Sequence, residues 1–208
     1  AFEIERVWRA GRQVFARGEA WEEPERDTSF PAHFYRSVHL APRSAEDFVL
    51  RAPITEGAVL CRILEVQEHT TFVAEGWAEL PVRGGVIDWE SSPYNLACVF
   101  ERHGKNGGCG MALVGGTALT RGAAATTYAH DSHNLLVLGQ TAADMTAAAN
   151  AVIDMQGGIA AVRDGSVTAC APLPIAGILS DRPLPVLGEQ IAHVRHVLAD
   201  CGYRHDNV

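Results

Sequence analysis

The chain has 208 residues, 47% of them hydrophobic and 20% charged, with a formal net charge of −8. That length is enough for one large domain or two modest ones, each with a real core. The acidic balance excludes a binder of phosphate backbones, which needs a basic face, and no apolar run approaches the ~18–20 residues that cross a bilayer as a helix.

The N-terminus, Ala1-Phe2-Glu3-Ile4-Glu5-Arg6, has early carboxylates and no apolar signal-peptide core. Without an initiator Met, a trimmed chain or a piece of something longer is expected. The five cysteines (Cys61, Cys98, Cys109, Cys170, Cys201) are odd in number and lack Cys-x-x-Cys spacing. They read as small buried thiols of a cytoplasmic protein, not as a disulfide framework or zinc knuckle.

Residues 4–16 predict a β-hairpin, with Ile4, Val7, Trp8, Val14 and Phe15 flanking the turn dipeptide Ala10-Gly11. The stretch 1–18 is thus a hairpin stub. Residues 19–32 form an acidic, proline-broken linker containing Glu19, Glu22, Glu23, Pro24, Glu25, Asp27 and Pro31. A domain spans 33–208. Its first strand candidates are Val38-His39-Leu40, Phe48-Val49-Leu50, Val59 to Val66 and Thr70 to Val73. Asn95 to Phe100 is a short buried-type run. A glycine-rich loop (Gly104, Gly107, Gly108, Gly110) and the run Met111 to Val114 follow. The loop lacks the Gly-Lys-Ser/Thr of a phosphate loop and leads into another strand, so it reads as a hairpin loop.

Two helices are predicted. Thr141 caps the first with Asp144 three residues on; Met145, Ala148, Ala149, Val152 and Ile153 share a face, and Gly157-Gly158 stops it. Ile159 to Val162 and Val167 to Cys170 flank the turn Asp164-Gly165. Pro172 to Asp181 is too apolar for a solvent loop and too rich in proline for a helix, so a rigid buried connection or contact surface is expected. The second helix runs from about Leu184 to Cys201 on the stripe Leu187, Ile191, Val194, Leu198, Cys201. Together these elements predict an α+β fold: a mixed or antiparallel sheet with two main helices, preceded by the hairpin stub.

Five consecutive polar residues, His130-Asp131-Ser132-His133-Asn134, stand between the apolar runs 123–129 and 135–139. Two imidazoles can bind a metal or shuttle a proton. Asp131 can orient an imidazole, and Asn134 can pair with the amide-like edge of a heterocycle. In a tight turn, Asp131 or Asn134 would instead only satisfy turn amides. The three-residue His spacing lacks a third ligand, so no metal is expected on this chain alone. Arg102 and His103, at the end of the 95–100 run, are either functional groups fixed by a strand end or, with Glu101, part of a surface ion pair of little worth. His193 and His196 lie off the apolar stripe, on a solvated face; His33, His39 and His69 give no signal.

The run Arg121-Gly122-Ala123-Ala124-Ala125-Thr126-Thr127-Tyr128-Ala129-His130-Asp131-Ser132-His133-Asn134-Leu135-Leu136-Val137-Leu138-Gly139 closely resembles the C-terminal domain of adenine deaminases of the amidohydrolase superfamily. Glu101-Arg102-His103-Gly104, Asp144-Met145 with Asn150, Gly157-Gly158, Asp164-Gly165 and Leu173 to Asp181 support the likeness. A departure lies at Gly115 to Thr120, where the family pattern is Gly-aromatic-Gly-Leu-Lys. The resemblance implies hydrolytic deamination of adenine to hypoxanthine with metal-activated water. The divalent metal (Mn, Fe or Zn) would sit in an N-terminal barrel, whose His-x-His this sequence lacks. The implied partners are that barrel, adenine, and further copies in a homo-oligomer. The expected pocket or support residues are His130, Asp131, His133, Asn134, Arg102 and His103. A non-catalytic interaction module with a purely structural turn is the alternative, and an independent small metallohydrolase a third.

Overall fold

A computed structural model describes residues 3–20, 29–67, 70, 72–116 and 118–205. Most of the acidic run of the linker (21–28), the Glu68-His69 pair and the last three residues lie outside the described residues.

The N-terminal hairpin forms as expected, from β1 (Arg6–Arg9) and β2 (Arg12–Ala16). Ala10 and Gly11 both have positive φ, 49° and 78°. That is the turn whose twist suits two antiparallel strands. The hairpin stands apart from the main sheet.

Among the described residues the main sheet has nine strands. They are β3 (Glu56–Val66), β4 (Val73–Arg83), β5 (Val86–Ile87), β6 (Asn95–Phe100), β7 (Cys109–Gly116), β8 (Ala123–Thr126), β9 (Leu135–Gly139), β10 (Gly158–Arg163) and β11 (Ser166–Pro172). Their order is β11-β10-β8-β9-β6-β7-β3-β4-β5. All pairs are antiparallel except β3 with β7, so the sheet is mixed. With the helices α1 (Ala142–Asp154) and α2 (Leu184–Asp200) this is the expected α+β architecture.

Strand alternation assigns the two faces. On one, Leu96, Cys98, Phe100, Ala123, Ala125, Leu135, Val137, Ala160 and Val162 meet Met145, Ala148, Ala149, Val152 and Ile153 of α1 in the larger core. On the other, Ile159, Ala161, Ala169 and Ala171 meet Val194, Val197, Leu198 and Cys201 of α2. The α2 helix covers only one end of its face. Register places Leu60, Trp77, Val73 and Val99 on the uncovered end of that face. Leu60 is 67% exposed and Trp77 59%.

Two of the expected early strands are absent. Ser44 and Asp47 form a capping box, Ser44 N–H donating to the Asp47 carboxylate at 2.7 Å, and this winds Ala45–Phe48 into a 3-10 turn. Phe48 is thereby buried edge-on against Phe100, with ring centroids 5.7 Å apart. Val38 to Leu40 is extended, but no strand lies beside it. Its amides go to the Gln156 side chain and the Arg102 carbonyl instead. The Thr70 to Val73 candidate catches only the first residue of β4, whose Gly76 and Pro81 break the apolar pattern.

Candidate functional site

One end of the sheet collects the last residues of β6 and β8, the first of β9 and β10, and the exit of β11. The loop His130–Asn134 joins β8 to β9 there. Arg102 lies two residues beyond β6, and the connection Leu173–Asp181 leaves β11 at the same end.

Arg102 organises this end. Only 2% exposed, it is the largest fully buried side chain. Its Nε donates to the His133 carbonyl, Nη1 to the Ser37 carbonyl and hydroxyl at 2.8 and 3.1 Å, and Nη2 to the Ala176 carbonyl at 2.9 Å. Its own amide donates to Asn134 Oδ1 at 3.4 Å, and its carbonyl accepts from His39 N–H at 2.8 Å. Four chain segments thus meet on one guanidinium, held by neutral oxygens and by no carboxylate among the described residues. Burial lowers its pKa from the usual arginine value. Gly177 makes the approach possible. At φ +74°, a Cβ there would stand 2.6 Å from Arg102 Nη1.

Glu101 points elsewhere. Its carboxylate accepts the amides of His103, Lys105, Asn106 and Gly107, and so fixes the β6–β7 loop. These bonds, led by that from Asn106, hold its pKa down to about 2. The Glu101–Arg102 surface pair weighed in the sequence does not form: one residue anchors a loop and its neighbour is buried.

Within the five-residue loop the roles divide. His130 and Asp131 pair through Nδ1 and Oδ1, with both side chains about 90% exposed. Ser132 Oγ accepts the Asn134 amide at 3.3 Å, and the Ser132 carbonyl lies 3.4 Å from His103 Nε2. His133 adopts φ +49°, its amide donating to the Ala129 carbonyl at 2.7 Å. Its ring lies 5.8 Å from that of Tyr128. His133 Nδ1 is buried and meets no hydrogen-bond partner among the described residues. A buried polar atom without a partner is uncommon in native proteins.

The structure therefore bonds Arg102 to His133 and Asn134 and sets His103 against the loop at the Ser132 carbonyl, with His130 and Asp131 exposed at its edge. The loop does not fit a resident divalent metal. His130 Nδ1 is occupied by Asp131, and no group of three His, Cys, Asp or Glu side chains among the described residues is arranged to hold an ion. His193 and His196 lie on the exposed face of α2. Sequence reasoning missed Ser37 and Thr127, whose hydroxyl accepts the Gly158 amide at 2.8 Å and donates to the Gly177 carbonyl. It also passed over His33 and His39, which line a cavity with His103. Nothing in the local sequence of these residues marks them, because the segments they join lie far apart in the chain.

Residues 70–208 match the family model of the adenine deaminase C-terminal domain. Among similar proteins, "Adenine deaminase 2" of Shouchella clausii is 42% identical over 99% of this chain and 36% of its own length. "Adenine deaminase" of Clostridium perfringens is 39% identical, also over 99% of this chain and 36% of its own length. That of Moorella thermoacetica is 37% identical over 97% of this chain and 34% of its own length. The chain spans about a third of the length of these relatives and corresponds to their C-terminal part. It belongs to the adenine deaminase C-terminal domain family.

Proposed function

We propose that this chain is the C-terminal part of an enzyme that hydrolyses adenine to hypoxanthine and ammonia, and that its loop end completes the purine pocket. The observation that carries the reading is the family match joined to the geometry of that end. A buried guanidinium holds a five-residue polar loop in place and leaves the His133 ring with an unused nitrogen. Binding residues are commonly carried on loops positioned by a rigid scaffold. Within that pocket Asn134 and His133 would pair with the edge of the heterocycle, and the exposed His130–Asp131 pair would close its rim.

The chemistry calls for a divalent metal (Mn, Fe or Zn), which belongs in this reading to an N-terminal amidohydrolase barrel. No step is assigned to a metal held here. The uncovered end of the α2 face, where Leu60 and Trp77 are exposed, is where the remainder of the enzyme packs, because the chain accounts for only about a third of its relatives. A homo-oligomer and a cytoplasmic location, the latter on five unpaired cysteines, complete the proposal.

A second reading has its own support. His133 binds Arg102 through a backbone carbonyl, and Asn134 through the very oxygen that would meet a substrate. On that basis the loop is purely structural and the domain serves only interaction or dimerisation. The test of the main reading is hypoxanthine and ammonia release from adenine. The enzyme containing this chain should turn adenine over, and the 208-residue chain loaded with Mn, Fe or Zn should not. Turnover by the chain alone contradicts it.

A further inference from the structure

Beside the loop end lies a cavity of about 520 Å³, lined by Ala32, His33, Arg36, Ser37, His39 and His103. None of His130, Asp131, His133 or Asn134 lines it; it adjoins the loop end and shares only His103 with it. In a chain of net charge −8 its wall carries one guanidinium and three imidazoles and, among the described residues, no carboxylate. A second guanidinium stands directly behind the wall, since Arg102 Nη1 donates to both oxygens of Ser37. That charge has no carboxylate partner among the described residues. The adjacent Glu101 forms no ion pair with it, its carboxylate accepting four loop amides instead.

The wall is also fixed. His39 N–H is bonded to the Arg102 carbonyl, and Gly104 packs so close to His39 that a Cβ there would stand 3.1 Å from His39 Cβ. His33 rests against the Phe34 ring, centroids 4.7 Å apart. Two chain segments, 32–39 and the one carrying His103, therefore present donors to one concavity. Preorganised donors of this kind suit an oxyanion, and an arginine fork suits one with several oxygens. The volume lies within the ~300–1,000 Å³ of small-molecule sites and exceeds that of a bare anion.

We propose that this cavity binds the phosphoryl group of a phosphate monoester of about mononucleotide size. The inference stands apart from adenine turnover. The site recognises charge through Arg36 and the imidazoles of His33, His39 and His103, and the body of the ligand lies along Ala32 and the His33 ring.

The test is calorimetric titration of the 208-residue chain with adenosine 5′-monophosphate, inorganic phosphate and, as a planar carboxylate, acetate. Saturable binding of the monophosphate on the order of 1 mM or tighter is expected, with phosphate weaker and acetate without effect. Arg36→Ala and His39→Ala should each weaken it about tenfold. Arg195→Ala, an exposed change on α2, should leave it unaltered. Circular dichroism and melting confirm that each variant is folded. Absence of saturation, equal binding of acetate, or an isotherm unchanged in both folded variants at Arg36 and His39 overturns the proposal. The assay needs no deamination, so its failure and that of the deaminase reading are separable.

Discussion

Arg102 shows how much one residue can hold. Its replacement by Met removes the donors to His133, Ser37 and Ala176 and leaves their half-buried oxygens unpaired. Each orphaned group costs ~1–3 kcal/mol. Urea denaturation of Arg102→Met should therefore show a loss of at least ~3 kcal/mol, whereas a surface arginine would cost within ~0.5 kcal/mol. Glu101 makes a prediction in pH. Its carboxyl titrates near 4.5 when unperturbed and near 2 in the fold. A depressed folded-state value means that its contribution to stability is present above pH 4.5 and is lost as pH falls from there through 2. Glu101→Gln should flatten the stability profile in that window, and amide exchange of residues 103–107 should speed up at neutral pH. At this scale the sequence was legible where polarity was unusual, as at His130–Asn134. It was opaque where a residue's role inverted its usual habit. Nothing in Glu101-Arg102-His103 announces that the arginine is buried and the glutamate is a loop anchor.

The elements were legible where local chemistry and long-range packing agree. Thr141 caps α1 through its hydroxyl, which accepts the Asp144 amide at 3.2 Å, and each apolar residue named for the helix face is buried. Thr141→Ala should cost ~1 kcal/mol, read as a lowered urea midpoint with unchanged slope. The Asp164-Gly165 turn formed as its dipeptide demands, with φ of 53° and 75°. The region 38–50 was misread as strands because its short apolar runs satisfy two patterns equally. What decided between them was non-local: an amide bonded to Gln156 for Val38, and for Phe48 a capping box that turns its ring onto Phe100. The sheet order was not legible either. Pairing of β3 with β7 is parallel and joins segments about fifty residues apart, which no local pattern encodes.

At the scale of the molecule, the two helices of the described residues leave one end of one sheet face open, with Leu60 and Trp77 on it. Exposed apolar side chains set among charged ones, with Arg62 opposite Trp77 and Glu79 opposite Leu60, have the composition of a non-obligate contact. Trp77→Glu should change the stability of the isolated chain by no more than ~0.5 kcal/mol, while weakening its association with the remainder of the enzyme in sedimentation analysis. Unchanged association would place the contact elsewhere.

The account rests on the loop end being part of a pocket completed outside this chain. The most direct measurement is the steady-state kinetics of His133→Ala in the enzyme that contains the chain, with melting temperature recorded alongside. The account predicts a fall in kcat/KM for adenine of at least ~100-fold, with melting unchanged within a few degrees, because the His133 carbonyl that holds Arg102 is retained. Unchanged kinetics in a folded variant would contradict it and leave the loop a structural turn.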